Sequence, residues 1–128
     1  MDLTNKSPHE IREFYFKQFP AKNSIPHVFS VNDIREDYVG WVYNGNFSSI
    51  EHIVNRKTHR EDGPASTTGR IFYWYQNNLL HRLDGPARID PYHPEYDEYY
   101  INDEKYTRQE FWEHPLVLEY KLNKIILL

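Results

Sequence analysis

Two short segments carry side chains of the kinds used in acid-base chemistry at one spacing: His59, Arg60 and Asp62, then His81, Arg82 and Asp84. A histidine, a cation and a carboxylate held within four residues are parts from which a small hydrolase or nuclease could be built. Their surroundings argue for another use. Each set lies in the phrase His-Arg-x-Asp-Gly-Pro-Ala, at 59–65 and 81–87, and the copies are 22 residues apart. A catalytic site is ordinarily assembled once from different elements, whereas residues that recur in step with a Gly-Pro turn belong to a repeating scaffold. Asp before Gly is placed to accept backbone N–H groups in the turn, and His and Arg to tie one hairpin to the next. Gly is expected there at positive φ, with Pro fixing the exit. His59, Arg60, Asp62, Gly63, Pro64, His81, Arg82, Asp84, Gly85 and Pro86 are therefore read as a structural repeat core, with no catalytic residue among them.

Other chemistries find less in the chain. Seven histidines raise the question of a metal, with His52 near His59 and His81 near His93 as pairs, but no His-x-His or His-Glu-x-x-His spacing occurs. No Gly-rich loop opens a helix for phosphate, and no nucleophile elbow is present, so neither metal nor cofactor is expected. Cysteine is absent, which excludes disulfides, thiol catalysis and thiolate metal sites. A net charge of −4 argues against a general grip on nucleic-acid backbones. Asp90, Glu95, Asp97, Glu98, Asp103 and Glu104 crowd one stretch, as a DNA mimic would require. The fifteen Lys and Arg interspersed through the chain favour an ordinary solvated face.

The elements that must hold the repeated phrase follow from the residues ahead of it. Tyr38 to Asn46, Ile71 to Leu79 and Tyr96 to Glu104 each run from aromatic residues into Asn-Gly, Asn-Asn or Asn-Asp, pairs that suit the positive φ of a two-residue hairpin turn. Trp41, Trp74 and Tyr99 fall in one column of this alignment, and Asn44, Asn77 and Asn102 in another. Each unit then reads as strand, turn, strand. In the first unit the His-Arg pair arrives late, which implies an 11-residue insertion at 47–57 or one whole decayed repeat. In the third, Tyr106 stands where His81 stood and the array ends.

These phrases resemble a known family, the His-Arg-x-Asp-Gly-Pro-Ala repeat proteins frequent in tailed bacteriophages and large viruses, which look like variants of the membrane occupation and recognition nexus (MORN) repeat. The resemblance covers residues 38 to 106. It implies a hairpin-repeat fold and a viral accessory role. The regularly spaced glycines of the classical repeat are missing, so the resemblance does not carry over a lipid-binding role.

Caps flank the array. Ser7-Pro8-His9-Glu10 is a capping box with Pro at the first helical position, leading into Ile11, Phe14, Tyr15 and Gln18 and stopping at Phe19-Pro20. Residues 28–31 suit a short strand, and 32–37 a turn or a single helical turn. Thr107-Arg108-Gln109-Glu110 is a second capping box, His114-Pro115 should break the helix, and Leu118, Leu122, Ile125 and Ile126 suit an apolar stripe on a final helix. Ile125-Ile126-Leu127-Leu128 is too apolar to lie loose in water, and is expected either on the sheet or in a partner. The fold expected for the 128 residues is α+β, one domain with a meandering antiparallel sheet of repeated β-hairpins between N-terminal and C-terminal helical caps.

Function is read from what is left. Eleven tyrosines, seven phenylalanines and three tryptophans exceed the needs of so small a core, and Tyr and Trp anchor interfaces at low entropic cost. Tyr43, Tyr73, Tyr92 and Tyr96, with His52 and Ile53 of the insertion, are the candidate binding residues; cross-strand aromatic pairing is the alternative use of the rings. With no apolar run of membrane-spanning length and no secretory leader in Met1 to Asn5, the chain is expected in the cytoplasm, a host's if it is viral, and away from membranes. The expectation is a non-enzymatic protein that binds a host protein, inhibiting or redirecting it, in antiviral defence. A nucleotide-like small-ligand binder is one alternative, and a small hydrolase or nuclease using the repeat His and Asp another.

Overall fold

The computed structural model describes residues 3–126; Met1, Asp2, Leu127 and Leu128 lie outside it. Three α-helices, three short 3-10 helices and eleven strands are found among the described residues. Helix α1 (Pro8–Phe16) starts where Ser7 Oγ accepts from Glu10 N–H at 3.2 Å and Glu10 Oε1 accepts from Ser7 N–H at 3.2 Å, so two of the donors at the helix start are satisfied locally. The strands are β1 (His27–Val28), β2 (Gly40–Asn44), β3 (Ser49–Val54), β4 (Lys57–Thr58), β5 (Ser66–Thr68), β6 (Ile71–Tyr73), β7 (Tyr75–Gln76), β8 (Leu79–Leu80), β9 (Arg88–Ile89), β10 (Tyr99–Ile101) and β11 (Glu104–Tyr106). Helices α2 (Arg108–Trp112) and α3 (Pro115–Ile126) close the chain, separated where His114-Pro115 breaks the turn and opened by the Thr107–Glu110 capping box. This is an α+β fold with a mostly antiparallel sheet and a helix near each end. The largest sheet runs β1-β2-β3-β5-β6-β9 with β4 beside β3, and β7–β8 and β10–β11 form separate pairs. Among the described strands only β1 runs parallel to its neighbour, with His27 opposite Tyr43.

The register corrects the first repeat. Asn44-Gly45 does not form a two-residue turn: Asn44 is still in β2, opposite Ser49, and residues 45–48 make a four-residue loop with the positive φ at Ser48. The tight turn is Asn55-Arg56, both at positive φ, between Val54 and Lys57. Segment 47–57 is thus no insertion. It contains β3, which pairs with β2 on one side and with β4 and β5 on the other. The columns become Asn55, Asn77, Asn102 and His52, Trp74, Tyr99, spaced by 22 residues from the first unit to the second and by 25 to the third. Trp41 drops out of the second column and instead faces His52 across the strands.

Burial falls into three clusters strung along the array, as expected where each unit packs on its neighbours. Tyr15 of α1 meets Phe72, Trp74 and Ala87; Val28, Ile34, Val42 and Ile53 form a second cluster; Ile101, Phe111 and Val117 a third. The C-terminal cap is smaller than its stripe suggested. Val117 of α3 is fully buried, but Leu118, Leu122, Ile125 and Ile126 are exposed, so the helix does not bury its apolar stripe on the last strand pair. None of the helices in the described residues is long and apolar enough to cross a membrane.

Candidate functional site

The two His-Arg-x-Asp-Gly-Pro-Ala phrases make one set of bonds twice. Each histidine's Nδ1 accepts a backbone N–H from the next hairpin's turn: Asn77 to His59 and Asn102 to His81, both at 3.1 Å. An accepting Nδ1 leaves the proton on Nε2, which fixes the tautomer. The arginines also reach forward, Arg60 N–H to Tyr75 O at 3.1 Å and Arg82 N–H to Tyr100 O at 3.2 Å. Their guanidinium groups fold back on their own turns. Nε donates to Asp62 Oδ1 at 3.0 Å and to Asp84 Oδ1 at 2.7 Å, and Nη1 to the Pro64 and Pro86 carbonyls, each at 3.0 Å. The carboxylates therefore hold arginine and not the turn's N–H groups.

That fold-back also explains the glycines. Neither Gly63 nor Gly85 has positive φ, contrary to the expectation from the Asp-Gly-Pro phrase. A Cβ there would stand 3.0 Å from Arg60 Cζ and 2.8 Å from Arg82 Cζ, on guanidinium groups pinned by two acceptors each, so the side chain is excluded by close approach. The far face of Arg82 lies on the Trp74 ring, 4.1 Å from its centroid. For Arg60 the ring is Trp41, at 5.3 Å, because His52 occupies the Trp74 column in that unit.

Between these turns and the helices runs a cleft of about 900 Å³, and beside it one of about 680 Å³. Their linings correspond column by column: Trp74, Gln76, His81, Arg82, Leu83 and Asp84 in the larger, His52, Val54, His59, Arg60, Glu61 and Asp62 in the smaller. Each repeat thus contributes the same notch, and the larger gains walls from α1, through Phe14 and Tyr15, from Gln18 just past its end, and from α3, through Tyr120 and Lys124. Burial lowers the His81 pKa and raises that of Tyr15 at the back of the cleft. Behind it, burial pushes Asp97 up to about 6, and its Oδ1 has no hydrogen-bond partner.

The residues expected to bind are not gathered here. Rows along the sheet alternate in face, and Tyr43 belongs to the row Ile50, Thr67, Phe72, while Tyr73 belongs to the row Val42, Glu51, Ser66; the two tyrosines are on opposite faces. Tyr43 packs on His27, and Tyr73 lies beside Tyr75, whose hydroxyl burial pushes up to about 12. Tyr92 and Tyr96 are exposed on the 90–97 loop, Tyr96 against His93. Ile53, only 4% exposed, is core and cannot meet a partner. His52 alone of the six lines a notch, with its Nδ1 2.8 Å from the His59 carbonyl. The cleft residues missed from sequence, Gln18, Gln76, Glu61, Leu83, Tyr120 and Lys124, carry no motif; the first usable signal was the repeat itself, once its register was right. Among the described residues no three His, Asp or Glu side chains converge as metal ligands. No family model matches this chain, and neither a curated protein nor a solved structure does.

Proposed function

We propose that this chain is a non-enzymatic binding protein that engages another protein through the groove along its His-Arg turns. One observation carries the reading: both copies of the phrase spend their acid-base side chains on the same internal bonds, His Nδ1 on a neighbouring N–H and Asp on its own Arg, while the groove beside them stays open. A histidine acting as general base needs its unprotonated ring nitrogen free for a substrate proton, and in both copies that nitrogen is taken by a backbone N–H. The likeness of the phrase to phage and viral repeat proteins of the MORN-variant kind points to a viral accessory factor in the host cytoplasm. Its target on this reading is a host protein of antiviral defence, which it inhibits or redirects.

Glu61 and Lys124 line the groove, and Glu61 is 81% exposed, its carboxylate 3.6 Å from His59 Nε2. Glu61→Arg and Lys124→Glu should each reduce capture of the partner from host lysate by tenfold or more at unchanged melting temperature. A partner held equally by both variants, or turnover of a small substrate by the purified protein, contradicts the proposal. A second reading has its own support, since about 900 Å³ is within the range of small-molecule sites. Native mass spectrometry of the chain taken from lysate separates the two, because a retained small molecule adds its mass without a second polypeptide.

A further inference from the structure

Consecutive hairpins are joined in this array by four bonds. Thr58 N–H donates to Asn78 Oδ1 at 2.7 Å, Asn78 N–H to Thr58 O at 2.9 Å, Asn77 N–H to His59 Nδ1, and Arg60 N–H to Tyr75 O. The next junction repeats them with Leu80 and Asp103 at 2.7 and 2.8 Å, Asn102 to His81, and Arg82 to Tyr100. In each case the strand leaving the turn offers its outward N–H and C=O to the second residue of the following turn.

The third hairpin has the same outgoing strand and no follower. Lys105 occupies the Thr58 and Leu80 column, opposite Tyr100 and one step beyond the Ile101–Glu104 pair that flanks the turn. Bonded and non-bonded pairs alternate along an antiparallel ladder, so the N–H and C=O of Lys105 point away from β10, as those of Thr58 and Leu80 point away from β3 and β7. Glu104 and Lys105 are exposed. Two of the four bonds are withdrawn at this end. Tyr106 has no ring acceptor where His81 had one, and Thr107 N–H is taken by Glu110 Oε1 at 2.9 Å in the α2 capping box.

We propose that the outer edge of β11 at Lys105 docks a tight two-residue β-turn of a partner protein, with Asn or Asp at the turn's second position. That side chain's oxygen accepts from Lys105 N–H, and that residue's own N–H donates to Lys105 O, continuing the junction used twice within the chain. A second copy does not offer the matching turn. Its Asn77-Asn78 and Asn102-Asp103 turns are occupied, and Asn55-Arg56 carries at the second position an arginine whose Nε donates to Ile34 O at 2.8 Å. The proposal is independent of the groove, and the two surfaces report separately.

The probe is a cyclised hairpin peptide copying residues 71–82 with its Asn-Asn turn, titrated into the ¹⁵N-labelled full chain. Lys105 N–H should exchange with solvent much faster than Thr58 and Leu80 N–H in the free protein, and should shift saturably with peptide. Peptide with Ala at the second turn position should bind at least tenfold more weakly. Lys105→Pro, which removes the backbone donor, should not bind; if that variant fails to fold, the peptide substitution carries the same test. A Lys105 amide protected like Leu80, shifts confined to groove residues, no shift at millimolar peptide, or self-association through this edge would each overturn the proposal.

Discussion

Asp62 and Asp84 are the most exposed members of the repeated phrase, at 85% and 54%, and each meets an arginine on its own turn. Exposed ion pairs contribute little, so Asp62→Ala and Asp84→Ala should each cost less than about 1 kcal/mol. The glycines beside them matter more. Gly63→Ala and Gly85→Ala place a Cβ against a pinned guanidinium, and overpacking of this kind costs about 1–3 kcal/mol. Thermal melts of the four variants should rank both glycines above both aspartates, with the two copies alike. His81 adds a pH dependence. Burial holds its folded pKa below the ordinary 6.5, so the unfolded chain takes up the proton first as pH falls. Stability contributed by the neutral ring is full above 6.5 and is lost as pH falls from there towards the lowered folded value. The stability difference between wild type and His81→Gln should therefore shrink from pH 7 to pH 5 in denaturant titrations; a constant difference would contradict the account.

At the scale of elements, what was legible in the sequence was local. The capping boxes at Ser7 and Thr107 and the break at His114-Pro115 depend on residues within one turn of one another, and each lies where the pattern placed it. The first repeat was misread because Asn44-Gly45 is by composition a stronger hairpin turn than Asn55-Arg56. The choice between them is made by distant pairing, Ile50 with Thr67 and Glu51 with Ser66, which no local pattern reveals. The groove was illegible for the same reason, since its walls come from α1, the repeats and α3 together. Two outcomes follow. Ile53→Ala empties a buried position in a central strand and should cost about 2–5 kcal/mol, which an insertion would not. Removing residues 121–128 should leave the melting temperature within a few degrees of wild type, because Val117 anchors α3. Removing 116–128 should lower it far more, and equal losses from the two truncations would show that the exposed half of the helix packs in solution.

The molecule as a whole is a short array whose first turn and last hairpin depart from the unit between them. Arg56 stands where later turns carry Asn78 and Asp103, and binds back to the lead-in through Ile34 O and Glu36. At the other end Tyr106 replaces the histidine and the α2 cap takes the N–H that would meet the next unit. Between the ends, His59 and His81 each join their hairpin to the next through Nδ1, while Asp62 and Asp84 hold the arginine of their own turn. That claim is tested most directly by the tautomers of the two ring systems, read from long-range ¹H–¹⁵N correlation spectra of the histidines above pH 7. The account predicts His59 and His81 alike, protonated on Nε2, with Nδ1 hydrogen-bonded to the Asn77 and Asn102 amides. A proton on Nδ1 in either ring, or different tautomers in the two copies, would contradict it.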